Sequence, residues 1–192
     1  MNECNDETHI GFGNDPFVRD EVLRLIDTHG IRTVIETGTF LGYTARALAR
    51  TGAAVHTIES DHERYLAAVA NLRGYPTVSV YEGPSEWTMP GVTVVYPGPF
   101  LFYLDAHWPD SPVLDELAVI AELAPDSVIV IHDVKNPFHP EYGFDTYGET
   151  VLDIDYLRDA LAKCFTVPWR EHYNDEAAGN RVGVLYVEPV RG

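Results

Sequence analysis

Short apolar runs rich in Val and Ile alternate along the chain with stretches whose apolar positions recur every three or four residues. The segment from Asp15 to Gly30, DPFVRDEVLRLIDTHG, sets Phe17, Val18, Val22, Leu25 and Ile26 at helical spacing between an Asp-Pro start and a Gly stop, so it predicts a helix. RTVIETG then reads as a short buried strand and YTARALARTG as a second helix ending at Gly52. The alternation continues with AVHTIES as strand, DHERYLAAVANLRG as helix, TVSVYEG and PFLFYLDAHW as strands, SPVLDELAVIAELAP as helix and SVIVIHDV as strand. Buried β-branched runs separated by amphipathic helices are the pattern of a parallel sheet covered on both faces, so the fold class is α/β and doubly wound.

The pattern changes towards the end. After a loop over 135–150 comes a helix, VLDIDYLRDALAK, and then two strand-like runs, CFTVPWREHYN and RVGVLYVEP, joined by the turn-rich DEAAG. They predict a C-terminal antiparallel hairpin added to a mostly parallel, seven-stranded sheet. No repeat, low-complexity tract or linker divides the chain. Residues 1–192 are therefore read as a single domain, with 135–150 as a substrate-covering loop and 1–14 as an N-terminal arm whose THIGFGN is a candidate for the other side of the site, although nothing in its residues compels that. Phe138, Tyr142, Phe144 and Tyr147 in that loop suit either an acceptor or a neighbouring copy in a homo-oligomer.

Charge narrows the partners. With 13 Lys and Arg against 30 Asp and Glu, the formal net charge is -17, which disfavours nucleic acid and anionic membrane surfaces, both of which are bound through basic residues. Cys4 and Cys164 are too few for a disulfide framework and lack metal-ligand spacing, so a reduced, cytoplasmic setting is expected. The opening MNECNDETHI has no signal-peptide pattern, and no apolar run approaches the ~18 residues of a membrane span.

In an open α/β sheet, ligands bind beyond the carboxyl ends of the strands, near the point where strand order reverses. The candidate residues there are Glu36-Thr37-Gly38-Thr39, Glu59-Ser60-Asp61, Glu82-Gly83-Pro84-Ser85, Asp105-Ala106-His107-Trp108 and His132-Asp133. Gly38 and Gly42 lie between a strand and a helix, where glycine either permits a sharp turn and close approach to a ligand or satisfies turn and packing needs alone, and their G-x-x-x-G spacing is not the dinucleotide fingerprint. Glu59, about twenty residues beyond the glycines, is placed to accept hydrogen bonds from a ribose diol. Ser85 and Glu86 follow the next strand and either border an adenine or serve as turn and cap residues.

VIETGTFLGYTARALA, HTIESD, GPSEW and FYLDAHW stand in the order and spacing of the cofactor motifs of class I S-adenosylmethionine-dependent methyltransferases. The chain resembles most the metal-dependent small-molecule O-methyltransferases, of the catechol type and of the macrolide and sugar type, over roughly Val34 to Val134. The resemblance implies a Rossmann-like methyltransferase fold and S-adenosylmethionine as methyl donor. It places Glu36, Gly38, Thr39, Gly42 and Tyr43 beside the methionine part, Glu59 and Ser60 at the ribose, and Ser85 and Glu86 at the adenine edge, with Asp105 also touching the cofactor. It further implies a divalent metal at Asp105, His132 and Asp133. The family carries a pair of Asp or Asn residues where this chain has His132-Asp133, so Mg²⁺, the family's metal, competes here with Mn, Fe or Zn, which suit an imidazole better.

His107, two residues beyond Asp105, is either the catalytic base or a ring stacked on Trp108 or facing the adenine. Asp105 and Asp133 serve either as ligands or as cofactor contacts with no metal. Without an inserted recognition domain, the expected acceptor is a small hydroxylated metabolite: a phenol, a catechol or a sugar. Two rivals remain at this level. A metallohydrolase would use Asp105, His107, His132 and Asp133 without the glycine loop, and a non-catalytic S-adenosylmethionine-binding protein would keep the loop without turnover.

Overall fold

A computed structural model describes residues 8–106 and 111–190. Helix α1 (Pro16–His29) is followed by β1 (Thr33–Thr37), α2 (Tyr43–Ala49), β2 (Ala54–Glu59), α3 (His62–Leu72), β3 (Val78–Glu82), α4 (Ser85–Val95) and β4 (Phe100–Leu104). Then come α5 (Val113–Leu123), β5 (Val128–Ile131), the short strands β6 (Thr146–Tyr147) and β7 (Thr150–Val151), α6 (Ile154–Lys163), β8 (Trp169–Tyr173) and β9 (Leu185–Pro189). Seven strands form one sheet in the order β3-β2-β1-β4-β5-β9-β8. The first five are parallel, whereas β9 runs antiparallel to β5 and β8 antiparallel to β9, as the sequence pattern predicts.

The central strands are buried on both faces, and their two-residue period divides the core. Ile35, Phe102, Leu104, Ile129 and Ile131 face a cluster completed by α4, α5 and α6. Val34, Leu101, Tyr103, Val128 and Val130 face the cluster completed by α1, α2 and α3. Sheet alternation thus supplies two apolar surfaces from single strands, each covered by helices.

Helix α4 has no counterpart in the sequence reading, which left Ser85 and Glu86 as cofactor or turn residues. Pro90, Gly91 and the β-branched Val92, Thr93, Val94 and Val95 oppose helix by propensity. Burial overrides them: Met89 and Val92 pack in the same cluster as Leu117 and Ile120 of α5.

The 135–150 segment also departs from expectation. It carries the β6-β7 hairpin, pairs Gly143 with Val182, and ties back through the Asp145 amide to the Asp133 carbonyl at 2.9 Å. Tyr142 is buried and donates to the Asp175 carbonyl at 3.1 Å.

Candidate functional site

The strand order reverses between β1 and β4: the chain leaves β1 towards β2 and leaves β4 towards β5, opening a crevice at their carboxyl ends. A cavity of about 790 Å³ lies there. Gly38, Thr39 and Tyr43, Glu59 and Ser60, Ser85 and Glu86, and Asp105, His132 and Asp133 all line it, so most of the residues singled out at five strand ends share one space.

Three expectations need correction or delimiting. Glu36 does not line the cavity; it is buried at the end of β1, next to Thr57 of β2 in the strand register. Gly42 does not line it either and caps α2. His107 and Trp108 lie outside the described residues. Residues 135–150 do not line this cavity, but Tyr147 lines a small pocket beside it with Ala106, Ser111 and His132. His9, Gly11 to Asn14 and Asn180 form one wall of the cavity.

The glycine loop owes its composition to packing. At Gly38 (φ +81°) a Cβ would collide with the carbonyl oxygen of Asp105, which the same crossing brings into place: the Asp105 amide donates to the Thr37 carbonyl at 3.1 Å. At Gly42 (φ +84°) a Cβ would meet Leu72 Cδ1 at 2.8 Å. Both positions thus combine a left-handed backbone with close approach, which glycine alone tolerates. Glu59 then ties the loop to β2, one carboxylate oxygen accepting from the Phe40 amide at 2.8 Å and the other from the Asp61 amide at 2.9 Å. Each oxygen retains a lone pair for a ligand.

The N-terminal wall is held as firmly. Phe12 and Asn14 adopt left-handed backbone (φ +53° and +61°), a conformation that is costly for non-glycine residues and persists only where surroundings impose it. Here the Phe12 amide donates to Thr44 Oγ1 at 2.9 Å, the Phe12 ring meets Tyr103 edge-on, and the Asn180 amide donates to the Gly13 carbonyl at 3.2 Å. Arg46, buried in α2, donates to the His9 carbonyl at 2.5 Å, while His9 stacks on Tyr43 at 4.6 Å between ring centres. Asp15 caps α1 through the Phe17 and Val18 amides and accepts from the Ala178 amide, joining the arm to the loop that carries Asn180. The sequence offers THIGFGN for the other side of the site without compelling it, because the partners that hold this wall are distant in the chain.

On the opposite side, Asp105 ends β4 while His132 and Asp133 follow β5, and the parallel register sets them side by side. His132 Nδ1 lies 2.9 Å from Asp133 Oδ2 and 3.3 Å from Asp105 Oδ1. Burial alone would push the imidazolium pKa down, but the carboxylates of Asp105 and Asp133 outweigh it and hold it up at about 10. Asp133 itself has φ +56°, a strained conformation of the kind concentrated at functional sites. Among the described residues, Asp105, His132 and Asp133 are the group able to hold a metal ion, with ligand atoms all within 4.8 Å of one another. Glu36 lies below: desolvation lifts its carboxyl to about 8, a hydrogen bond with Thr57 opposes that, and the charges of Asp105 and Glu59 add to it.

No family model and no curated protein sequence matches the chain. Solved structures do. The O-methyltransferase from Bacillus cereus in complex with SAH superposes with a TM-score of 0.68 over 91% of this chain and 81% of its own, at 19% identity. TomG from Streptomyces achromogenes, an O-methyltransferase involved in tomaymycin synthesis and solved with SAM, gives 0.66 over 91% and 80%, at 20% identity. This chain has the Rossmann-like methyltransferase fold. The SAH-bound Podospora anserina methyltransferase PaMTH1 shares it, with a TM-score of 0.63 over 91% of this chain and 78% of its own at 16% identity. Within the methyltransferase fold, the cavity described above occupies the crevice at the switch point of the sheet.

Proposed function

We propose that this protein transfers the methyl group of S-adenosylmethionine to a hydroxyl of a small metabolite, assisted by a divalent metal. The observation that carries the reading is the division of one cavity into two chemically distinct halves on a methyltransferase fold. Gly38, Thr39, Glu59, Ser85 and Glu86 line one half, and Asp105, His132 and Asp133 the other.

In the donor half, the left-handed turn at Gly38 brings backbone against the methionine portion of the donor. Glu59 accepts hydrogen bonds from the ribose hydroxyls with the lone pairs its loop contacts leave open. Ser85, buried at the start of α4, borders the adenine. In the acceptor half, one nitrogen and two carboxylates already stand at the mutual distances of ligands around a single ion, so the residues present fit a dication. The mixed donor set suits Mn, Fe or Zn as well as Mg. A bound dication would supply Lewis acidity, lowering the pKa of the acceptor hydroxyl towards neutrality.

The transfer is a displacement at carbon. A lone pair of the acceptor oxygen forms the new C–O bond as the C–S bond breaks, its electron pair returns to sulfur, and the hydroxyl proton leaves to a base or solvent. The enclosing walls, the glycine loop and the His9–Asn14 turn, hold oxygen and methyl in line and limit water, which contributes through proximity and orientation.

Calorimetric titration of S-adenosylhomocysteine tests the donor half: Glu59→Ala is expected to weaken binding at least tenfold, about 1.4 kcal/mol. Equal affinity for the variant and the parent protein would refute the donor assignment.

A further inference from the structure

Resting on that reading, we infer that the hydroxylated methyl acceptor carries no anionic group and preferentially bears an ammonium group beside its reacting hydroxyl: the cavity selects its acceptor by charge. Five carboxylates line the cavity, those of Glu59, Glu86, Asp105, Asp115 and Asp133, against the guanidinium of Arg64 and the imidazole of His132. That guanidinium is engaged in the donor half, 5.3 Å from the centre of the Phe40 ring. The acceptor half contains no Lys or Arg among its described lining residues.

The sign of this field survives loading of the site. A dication held by Asp105, His132 and Asp133 offsets the two carboxylates that bind it, and the sulfonium donor adds one positive charge. Asp115, Glu59 and Glu86 still outnumber the two cations that remain, Arg64 and the sulfonium. An acceptor with a carboxylate, phosphate or coenzyme thioester tail would therefore enter a partly desolvated space of net negative charge, with no Lys or Arg of the acceptor half among the described residues to meet it.

What the cavity offers instead is suited to neutral and cationic hydroxylated groups. Across from the acceptor half, Asn180 lines the N-terminal wall with an exposed side chain that makes no hydrogen bond among the described residues, and its amide both donates and accepts. Asp115, exposed in the first turn of α5, is the carboxylate that no metal role absorbs, and so faces an acceptor ammonium directly.

Two series of probes that differ only in charge test the inference with the full-length protein, donor and metal: dopamine, hydroxytyrosol and dihydroxyphenylacetate, and glucosamine, glucose and glucuronate. Formation of S-adenosylhomocysteine gives kcat/KM for each. In at least one series, the amine and the neutral member are expected to exceed the carboxylate by at least about fivefold, the scale of one screened charge pair, and added salt should narrow the gap. Asp115→Lys should narrow it too by raising the carboxylate's kcat/KM. The inference is overturned if the carboxylate member equals or exceeds its partners, or if protein that binds S-adenosylmethionine methylates no member of either series. Protein that binds no S-adenosylmethionine overturns the proposed function itself, which separates the two failures.

Discussion

Glu36 makes the pH dependence of stability a direct probe of the site's foundation. Its carboxyl is buried at the end of β1 beneath the cavity, and one oxygen has no hydrogen-bond partner among the described residues. Desolvation raises its pKa from 4.5 to about 8, so the folded protein keeps this acid protonated at neutral pH while the unfolded chain ionises it. A raised folded pKa contributes stability that is fully present below the unfolded value and is lost as pH rises through the folded one. Glu36 should therefore cost the wild-type protein about 1.4 kcal/mol per pH unit from about pH 4.5 to about pH 8, on the order of 4 kcal/mol in all. Glu36→Gln keeps the shape and cannot ionise. It should match wild type near pH 5 and exceed it by a few kcal/mol near pH 8, roughly as the linkage requires. His132 also loses stabilisation as pH rises, because its folded pKa is raised, but that contribution is common to both proteins and largely cancels in the difference. Urea denaturation across this range, with a chelator present to keep the metal site alike, measures the difference. Parallel stability curves for the two proteins would refute a protonated Glu36.

Three further outcomes are expected. His132 is an imidazolium at neutral pH when no metal is bound, so binding a dication should release close to one proton per ion, and affinity should rise about tenfold per pH unit; calorimetry in buffers of different ionisation enthalpy reads this directly, and zero release would contradict it. Gly38→Ala should destabilise far more than Gly52→Ala in urea titrations: both have φ above +80°, but only at Gly38 does the new Cβ strike backbone, whereas at Gly52 it meets nothing and costs only about 1 kcal/mol of backbone strain. Arg46→Ala should release the N-terminal wall, seen as faster proteolysis within residues 8–14, and cost about 2 kcal/mol through loss of the charged hydrogen bond to the His9 carbonyl.

How much of this was legible in the sequence follows the range of the interactions involved. Strand and helix alternation is a local signal, and it yielded the five parallel strands, the C-terminal hairpin and hence the crevice in which Glu59, Asp105, His132 and Asp133 meet. α4 was hidden because local propensity and tertiary burial disagree there: Pro90 and Gly91 speak against helix, while Met89 and Val92 gain more by packing on α5. The N-terminal wall was offered by the sequence but not compelled, for a related reason. Its glycines are visible in HIGFGN, but their use depends on Thr44, Arg46 and Asn180, which no local pattern links to residues 9–14.

The aromatic loop at 135–150 is held by contacts that its local pattern does not reveal, Tyr142 being committed to the Asp175 carbonyl and Gly143 to Val182, while Tyr147 stands beside His132. The glycine loop gained a different meaning. The sequence leaves Gly38 open to two uses, room for a ligand or turn and packing, and the first demand on it is the Asp105 carbonyl that its Cβ would strike. The residue that allows β1 and β4 to approach at the switch point thereby fixes the position of a candidate metal ligand, coupling the donor loop to the acceptor half through backbone packing alone.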